Sequence, residues 1–407
     1  MKYPVGIQTF EKIIEGKFVY VDKTDLVYSL VKEGQIYFLS RPRRFGKSLL
    51  LSTLRAYFEG KKNLFAGLKI DALEHDWHVH KVFHFDFNGT NFSEPNALNM
   101  KIEGYLHDWE KEYGITPEVD FNLGSRFNRI LQAAAEHTGR GAVVLVDEYD
   151  KPLLDVLEKD PELLEQNREI LKSFYSVFKQ ADASLRFVFL TGVTKFSQVS
   201  VFSGFNQPLD ISMTEKFEAL CGITEEELHT QFAEPIRKMA ESDGCTEEEI
   251  RQKLKRHYDG YHFSKNMADI YNPFSLLNAF YNNDVRDYWF ASGTPSYLIR
   301  LMNHFHEGID ELTNKFYLPD EFINYKADVE YPLPMIYQSG YLTIKDYDKE
   351  SNLFLLDFPN NEVKSGFLVM VDTKGYARPY EADARQVYKI GVNFSSETGT
   401  IEEWESK

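Results

Sequence analysis

Gly46, Lys47 and Ser48 follow one another inside "SRPRRFGKSLLLSTLRAYF", residues 40 to 58. Together they carry the parts of a phosphate site. The glycine lets backbone amides approach an anion, the lysine brings a point charge to β and γ oxygens, and the serine hydroxyl can hold Mg²⁺. The full pattern is G-x-x-x-x-G-K-[ST]; here Arg41 stands at its first glycine and Pro42 follows. By average composition, a Gly-Lys pair followed by Ser or Thr occurs in roughly one chain in five of this length, so the tripeptide alone decides little. Its plain alternative is a helix start with a solvated lysine. Arg43 and Arg44 would place two more cations beside the same anion, or else form a basic surface turn, while Phe45 and Leu49 flank the cradle.

A second signal is "GAVVLVDEYD", an apolar run delivering Asp147 and Glu148 to the end of a strand. In parallel sheets ligands bind at that carboxyl edge. Asp147 would join Ser48 in the Mg²⁺ shell and Glu148 would polarise the attacking water, unless the two are only solvated strand caps. Asp150 acquires no role. "RFVFLTG" ends at Thr191, with Thr194 and Lys195 just beyond. The Thr191 hydroxyl could sense a γ-phosphate or orient water, or merely stabilise a turn. The catalytic set is therefore Glu148, Lys47 and Thr191.

The flanking elements fit these tasks. "KFVYVD" (17–22) reads as a strand, "KTDLVYSLVKEG" as a helix and "QIYFLS" (35–40) as a strand. After the loop, Leu50, Leu54, Tyr57 and Phe58 mark one buried stripe of a helix that stops near Gly60. Strands follow at 82–88, 142–147 and 186–192, separated by helices, one of them with Ser125 as its N-cap and Gly139 as its stop. Apolar strands alternating with helices imply an α/β fold, a parallel sheet covered on both faces, over residues 1–213. Residues 214–365 read as a helical domain, with Asn272 capping a helix whose first turn holds Pro273. It ends in a β-hairpin over 340–358, an arrangement that fits a winged helix. The closing "SSETGTIEEWESK" is expected to fray.

The chain has 407 residues, 43% hydrophobic, and a net charge of −17. That sign excludes a surface that tracks nucleic acid as a whole. The basic run "RQKLKRH" (251–257) follows "TEEEI" directly and reads as a solvated helix face. Cys221 and Cys245 are the two cysteines, with neither a disulfide framework nor zinc spacing, which fits a cytoplasmic protein. Neither a leader nor a membrane span is expected.

At "YVDKTDL", "FLSRPRRFGKSLLLSTL", "VVLVDEYDKPL" and "FVFLTGVTKFSQVSVFSGFN", and on through "YDGYHFS", "IYNPFSLLNAF" and "GYLTI", the chain resembles the AAA-ATPase-like family. The resemblance covers about residues 1–365, and that family's loop also carries arginine at the first glycine. It implies a P-loop ATPase using ATP and Mg²⁺, with Lys47 and Ser48 in Walker A and Asp147 and Glu148 in Walker B. The residue pattern itself leaves GTP open. Family members usually add a C-terminal PD-(D/E)xK nuclease-like domain; "KGYARPYEADARQVYKIGVNFSSETGTIEEW" looks like its closing segment, so residues 366–407 would be a truncated remnant. "DTK" (372–374), with Asp357 upstream, formally fits the nuclease pattern, but the strand that should precede it is missing. The expected functions are slow Mg²⁺-dependent ATP hydrolysis coupled to the helical domain, a nucleotide-gated module with little turnover, and, last, DNA cleavage. A protein or DNA partner would engage the helical domain.

Overall fold

The computed structural model describes residues 1–116, 122–195, 208–292, 312–325, 331–373, 390–394 and 401–406. Five parallel strands, β1 (Ile36–Ser40), β2 (Val82–Asp86), β3 (Ala142–Asp147), β4 (Leu185–Gly192) and β5 (Leu209–Asp210), form one sheet in the order β2-β3-β4-β1-β5. All six residues of β3 are buried, as a strand covered on both faces requires. This is the α/β fold expected from the apolar runs. β1 and β3 flank β4, and the register brings Ser40 level with Gly192 and Asp86 level with Asp147. The last residues of the central strands therefore meet at one edge.

The longer helices beside the sheet, with one short one at the start, are α1 (Phe10–Glu15), α2 (Thr24–Glu33), α3 (Lys47–Phe58), α4 (Ala97–Tyr113), α5 (Leu123–Thr138) and α6 (Pro161–Tyr175). The stripe of α3 is buried as its spacing predicts: Leu50, Leu54, Tyr57 and Phe58. α5 stops at left-handed Gly139, but its cap lies three residues before Ser125: Asn122 is the cap, and its side chain accepts the Ser125 amide at 2.9 Å. α4 and α5 are tied by a bidentate pair, Arg126 Nε and Nη2 to Glu110, both at 2.8 Å.

Residues 17–22, expected as a strand, have no ladder partner among the described residues. Val19 N–H donates to the Lys2 carbonyl at 2.8 Å and Tyr20 packs edge-on against Phe10. β-branched residues favour an extended chain, but only a neighbouring strand makes it a sheet.

Helices Glu225–Gln231, Ala233–Asp243, Glu247–Tyr258 and Pro273–Asn282 follow. Two begin with full capping boxes, Thr224 with Glu227 and Thr246 with Glu249, and Asn272 accepts from the Phe274 and Ser275 amides. Phe232, Ile236, Leu254, Tyr258, Leu276 and Phe280 form their core. The hairpin is strands Thr343–Asp348 and Leu353–Asp357, extended by a third, Lys315–Tyr317, which carried too short a pattern to be seen in the sequence.

Met1–Val363 forms one compact unit, so the sheet and these helices share a single body; Lys364–Lys407 forms a second. In the second unit Ile390–Phe394 pairs antiparallel with Ile401–Ser406, so part of the segment expected to fray is a strand. Asp372 falls within helix Asn361–Thr373, and Lys374 lies outside the described residues.

Gly141 sits where β3 enters the sheet, and a Cβ there would lie 2.7 Å from the Leu185 carbonyl carbon and 2.8 Å from the Arg186 nitrogen. Backbone cannot step aside as a side-chain tip can. Gly141→Ala is expected to destabilise the protein by about 1–3 kcal/mol in urea unfolding, whereas Gly67→Ala, where the glycine is solvent-facing, should lack this clash term.

Candidate functional site: a loop and three carboxylates at the sheet edge

β1 ends at Ser40, the chain turns through Arg44 (φ 63°) and Gly46 (φ 98°), and α3 starts at Lys47. At Gly46 the left-handed φ is the constraint, since a Cβ would meet nothing within 4 Å. The first turn of α3 holds no acidic residue and its cap makes no side-chain hydrogen bond. Its leading amides, with the positive end of the helix dipole, thus favour an anion.

Lys47 is buried, 6% exposed, and folds back on the loop: its ammonium donates to the carbonyls of Arg41 at 2.9 Å and Pro42 at 3.0 Å. Burial lowers its pKa, and Glu148, Asp147 and Asp150 pull it back up. The lysine and all three carboxylates therefore share one electrostatic environment.

Asp147 ends β3 at 3% exposure, and its Oδ1 accepts the Thr191 hydroxyl at 2.9 Å. Glu148 follows in the left-handed region (φ 52°), an uncommon backbone for a non-glycine residue. Burial raises its pKa, opposed by Lys47 and reinforced by Asp147. Ser48 is half-buried in the first turn of α3, at the same sheet edge as Asp147.

The remaining residues of the loop are spoken for by the helical region. The Arg44 guanidinium lies 4.2 Å over the Phe274 ring, the Arg43 carbonyl accepts Trp289 Nε1 at 2.9 Å, and Phe45 is buried edge-on against Tyr261 and Phe263. Gly46 and Leu49 line an open cleft with Val21, Cys221 and Pro273. Arg41 points inward and is 1% exposed. Thr194 and Lys195 meet the second half of the chain through Met335 and Gln338.

Asp150 is the residue whose part the sequence did not disclose. Its Oδ2 accepts the amides of Val193 at 2.9 Å and Thr194 at 2.6 Å, locking the turn after β4 onto the turn after β3. Gly192 allows this closeness: a Cβ there would lie 2.7 Å from Asp150 Oδ1. Burial pushes the Asp150 carboxyl up to about 7. The sequence marks it only as one more charge in "DEYDK", the polar turn that follows the apolar run of β3.

A parallel α/β sheet with a glycine–lysine loop leading into a helix, and carboxylates across one intervening strand, defines the class of protein. The chain belongs to the AAA-ATPase-like family: the family model described as "Predicted AAA-ATPase" matches residues 4–202. The "Uncharacterized protein in vnfD 5'region" of Azotobacter chroococcum mcd 1 is 39% identical over 371 residues, 89% of this chain and 68% of that one. Membership supports nucleotide binding. Solved structures are more distant: the Aeropyrum pernix ORC1 protein in complex with DNA has a TM-score of 0.29 at 10% identity, covering 88% of this chain and 95% of that one. The Aeropyrum pernix ORC2 protein (ADPNP-ADP complexes) has 0.28 at 13%, covering 86% and 91%. Both likenesses are too slight to bear on function. No helix among the described residues is long and apolar enough to cross a membrane.

The raised Asp150 carboxyl has a signed consequence. A folded pKa above the unfolded value near 4 favours the protonated form, so its stabilisation is complete below about pH 4 and is lost as pH rises through about 7. Asp150→Asn keeps an acceptor oxygen for both amides and removes the charge. Urea unfolding of both proteins should show the variant gaining on wild type by about 2–4 kcal/mol between pH 4 and pH 8. A gap that does not change with pH would refute a carboxyl held protonated.

Proposed function

We propose that the chain binds a nucleoside triphosphate, ATP, with Mg²⁺, at the loop and hydrolyses it slowly. The observation that carries this is the shared environment of Lys47 with Asp147, Glu148 and Asp150 at the edge where α3 begins. Triphosphate oxygens would take the place of the Arg41 and Pro42 carbonyls as acceptors for Lys47 and would lie against the amides of Gly46 to Ser48. The cleft of Val21, Phe45, Leu49 and Pro273 offers the base an apolar wall next to Gly46.

The donor set suits a hard cation: the Ser48 hydroxyl and the Asp147 carboxylate are oxygen ligands, and Thr191 fixes the carboxylate's orientation. When bound, Mg²⁺ supplies neutralising charge on the phosphates. Glu148 orients and deprotonates water, and its left-handed backbone sets where the carboxyl points. Arg43, Arg44 and Phe45 support the loop from outside.

The second reading, a nucleotide-gated module with little turnover, is favoured by how Trp289, Phe274, Tyr261 and Phe263 grip that loop. Any repositioning of residues 43–45 by nucleotide must be transmitted to the helical region. A protein partner fits this region better than nucleic acid. Its basic run is neutralised locally: Lys255 contacts Asp269 and Glu225, Lys253 contacts Asp243, and Arg251 contacts Glu247.

Titration with labelled ATP and GTP should show binding that Lys47→Ala weakens at least about tenfold. Unchanged affinity in that variant would remove the proposal. In single-turnover assays Glu148→Gln should bind normally and hydrolyse about 10²-fold more slowly. Equal, negligible conversion by both proteins would select the gated module. Trp289→Phe removes one hydrogen bond to the loop and is expected to shift nucleotide affinity about fivefold, read in the same titration.

A further inference from the structure

Arg41 replaces the first glycine of the loop with a cation that has no carboxylate within hydrogen-bond distance among the described residues. Its Nη1 donates to the carbonyls of Ser40 at 2.9 Å and Ser212 at 2.7 Å. Its Nη2 reaches the carbonyls of Phe217 and Glu218 only at 3.4 Å, and Nε has no hydrogen-bond partner. The Phe263 ring lies 4.0 Å from the guanidinium carbon.

The nearby acids are engaged elsewhere. Glu218 accepts from Ser264 and Asn266, and Asp210 is paired with Lys195 at 2.6 Å. A buried charge is normally paired, because carbonyl dipoles replace only part of its lost hydration. The under-bonded edge, Nε with Nη2, is one of the edges with which a guanidinium grips an oxyanion in a bidentate pair.

Arg41 also lines a small, partly open cavity between the carboxyl ends of β1 and β5 and the hairpin region. Met213, Phe263 and Leu342 give it apolar walls, while Ser212, Gln338 and Thr343 contribute polar groups. It shares no lining residue with the cleft beside Gly46, so it is a separate site on the other flank of the loop.

We infer that this cavity binds a small organic carboxylate, its planar head on the Arg41 guanidinium and its apolar body against Phe263, Met213 and Leu342. One guanidinium that no described carboxylate touches, with Glu218 and Asp210 acting on it only through space, matches a monoanion. A phosphate dianion would need a second cation, and the Lys195 ammonium is already balanced by Asp210. The inference does not rest on nucleotide binding.

Calorimetric titration of the full chain with sodium benzoate, benzamide and phenyl phosphate tests it. Benzoate should bind one to one below about 10 mM, with benzamide and phenyl phosphate each at least tenfold weaker. Arg41 also ties four carbonyls together, so the decisive variant is Met213→Trp, which fills the cavity and leaves the guanidinium in place. It should weaken benzoate at least tenfold with an unchanged melting temperature, and saturating ATP should leave benzoate bound. No benzoate binding, equal binding of benzamide, tighter binding of phenyl phosphate, full affinity in Met213→Trp, or displacement by ATP would each overturn the inference. None of these outcomes depends on whether ATP is hydrolysed.

Discussion

A buried ammonium, held by carbonyls of its own loop and within electrostatic reach of Asp147, Glu148 and Asp150, is the constraint around which this sheet edge is arranged. Lys47 loses hydration on burial and regains stability from carbonyls of its own loop and from Asp147, Glu148 and Asp150. The acids are brought there by a register of parallel strands, and the lysine by the start of a helix. A one-residue slip would turn the strand's side chains to the opposite face and swing those of the helix by about 100°, so neither element could shift and keep these residues at the edge. Asp150 then secures the arrangement from behind by holding the two neighbouring turns together.

The loop that positions Lys47 is unusually well embedded. Glycine in place of Arg41 would leave its entrance free to move, whereas the guanidinium fastens it to residues 212–218 and to Phe263. Farther along, an indole, a phenyl face and two more rings from the helical region hold residues 43–45. The helical region is thus part of the loop's support, and both lie within the same compact unit.

Much of this was legible because local physics and global packing agree. The runs around Val143–Val146 and Phe187–Leu190 are apolar throughout because both faces of those strands are covered, and the stripe of Leu50, Leu54 and Tyr57 declares its helix by spacing. Asn272 announced a helix start through side-chain chemistry that acts within three residues, and Thr224 and Thr246 cap their helices in the same way. What stayed hidden depends on distant partners. Residues 17–22 have strand-like composition without a strand to pair with. Asp150 became meaningful only when Val193 and Thr194 were folded against it. The inward turn of Arg41 could not be read from a sequence in which arginine normally signals a surface.

Trp289 gives the molecule a built-in optical probe. Its indole nitrogen is bonded to the Arg43 carbonyl, while the ring packs beside Tyr341. Emission from an indole depends on its hydrogen bonding and on the polarity around it, so its colour and intensity register the posture of residues 43–45 directly. In a variant that keeps Trp289 as its sole tryptophan, rearrangements of the loop can therefore be timed in solution without attaching a dye.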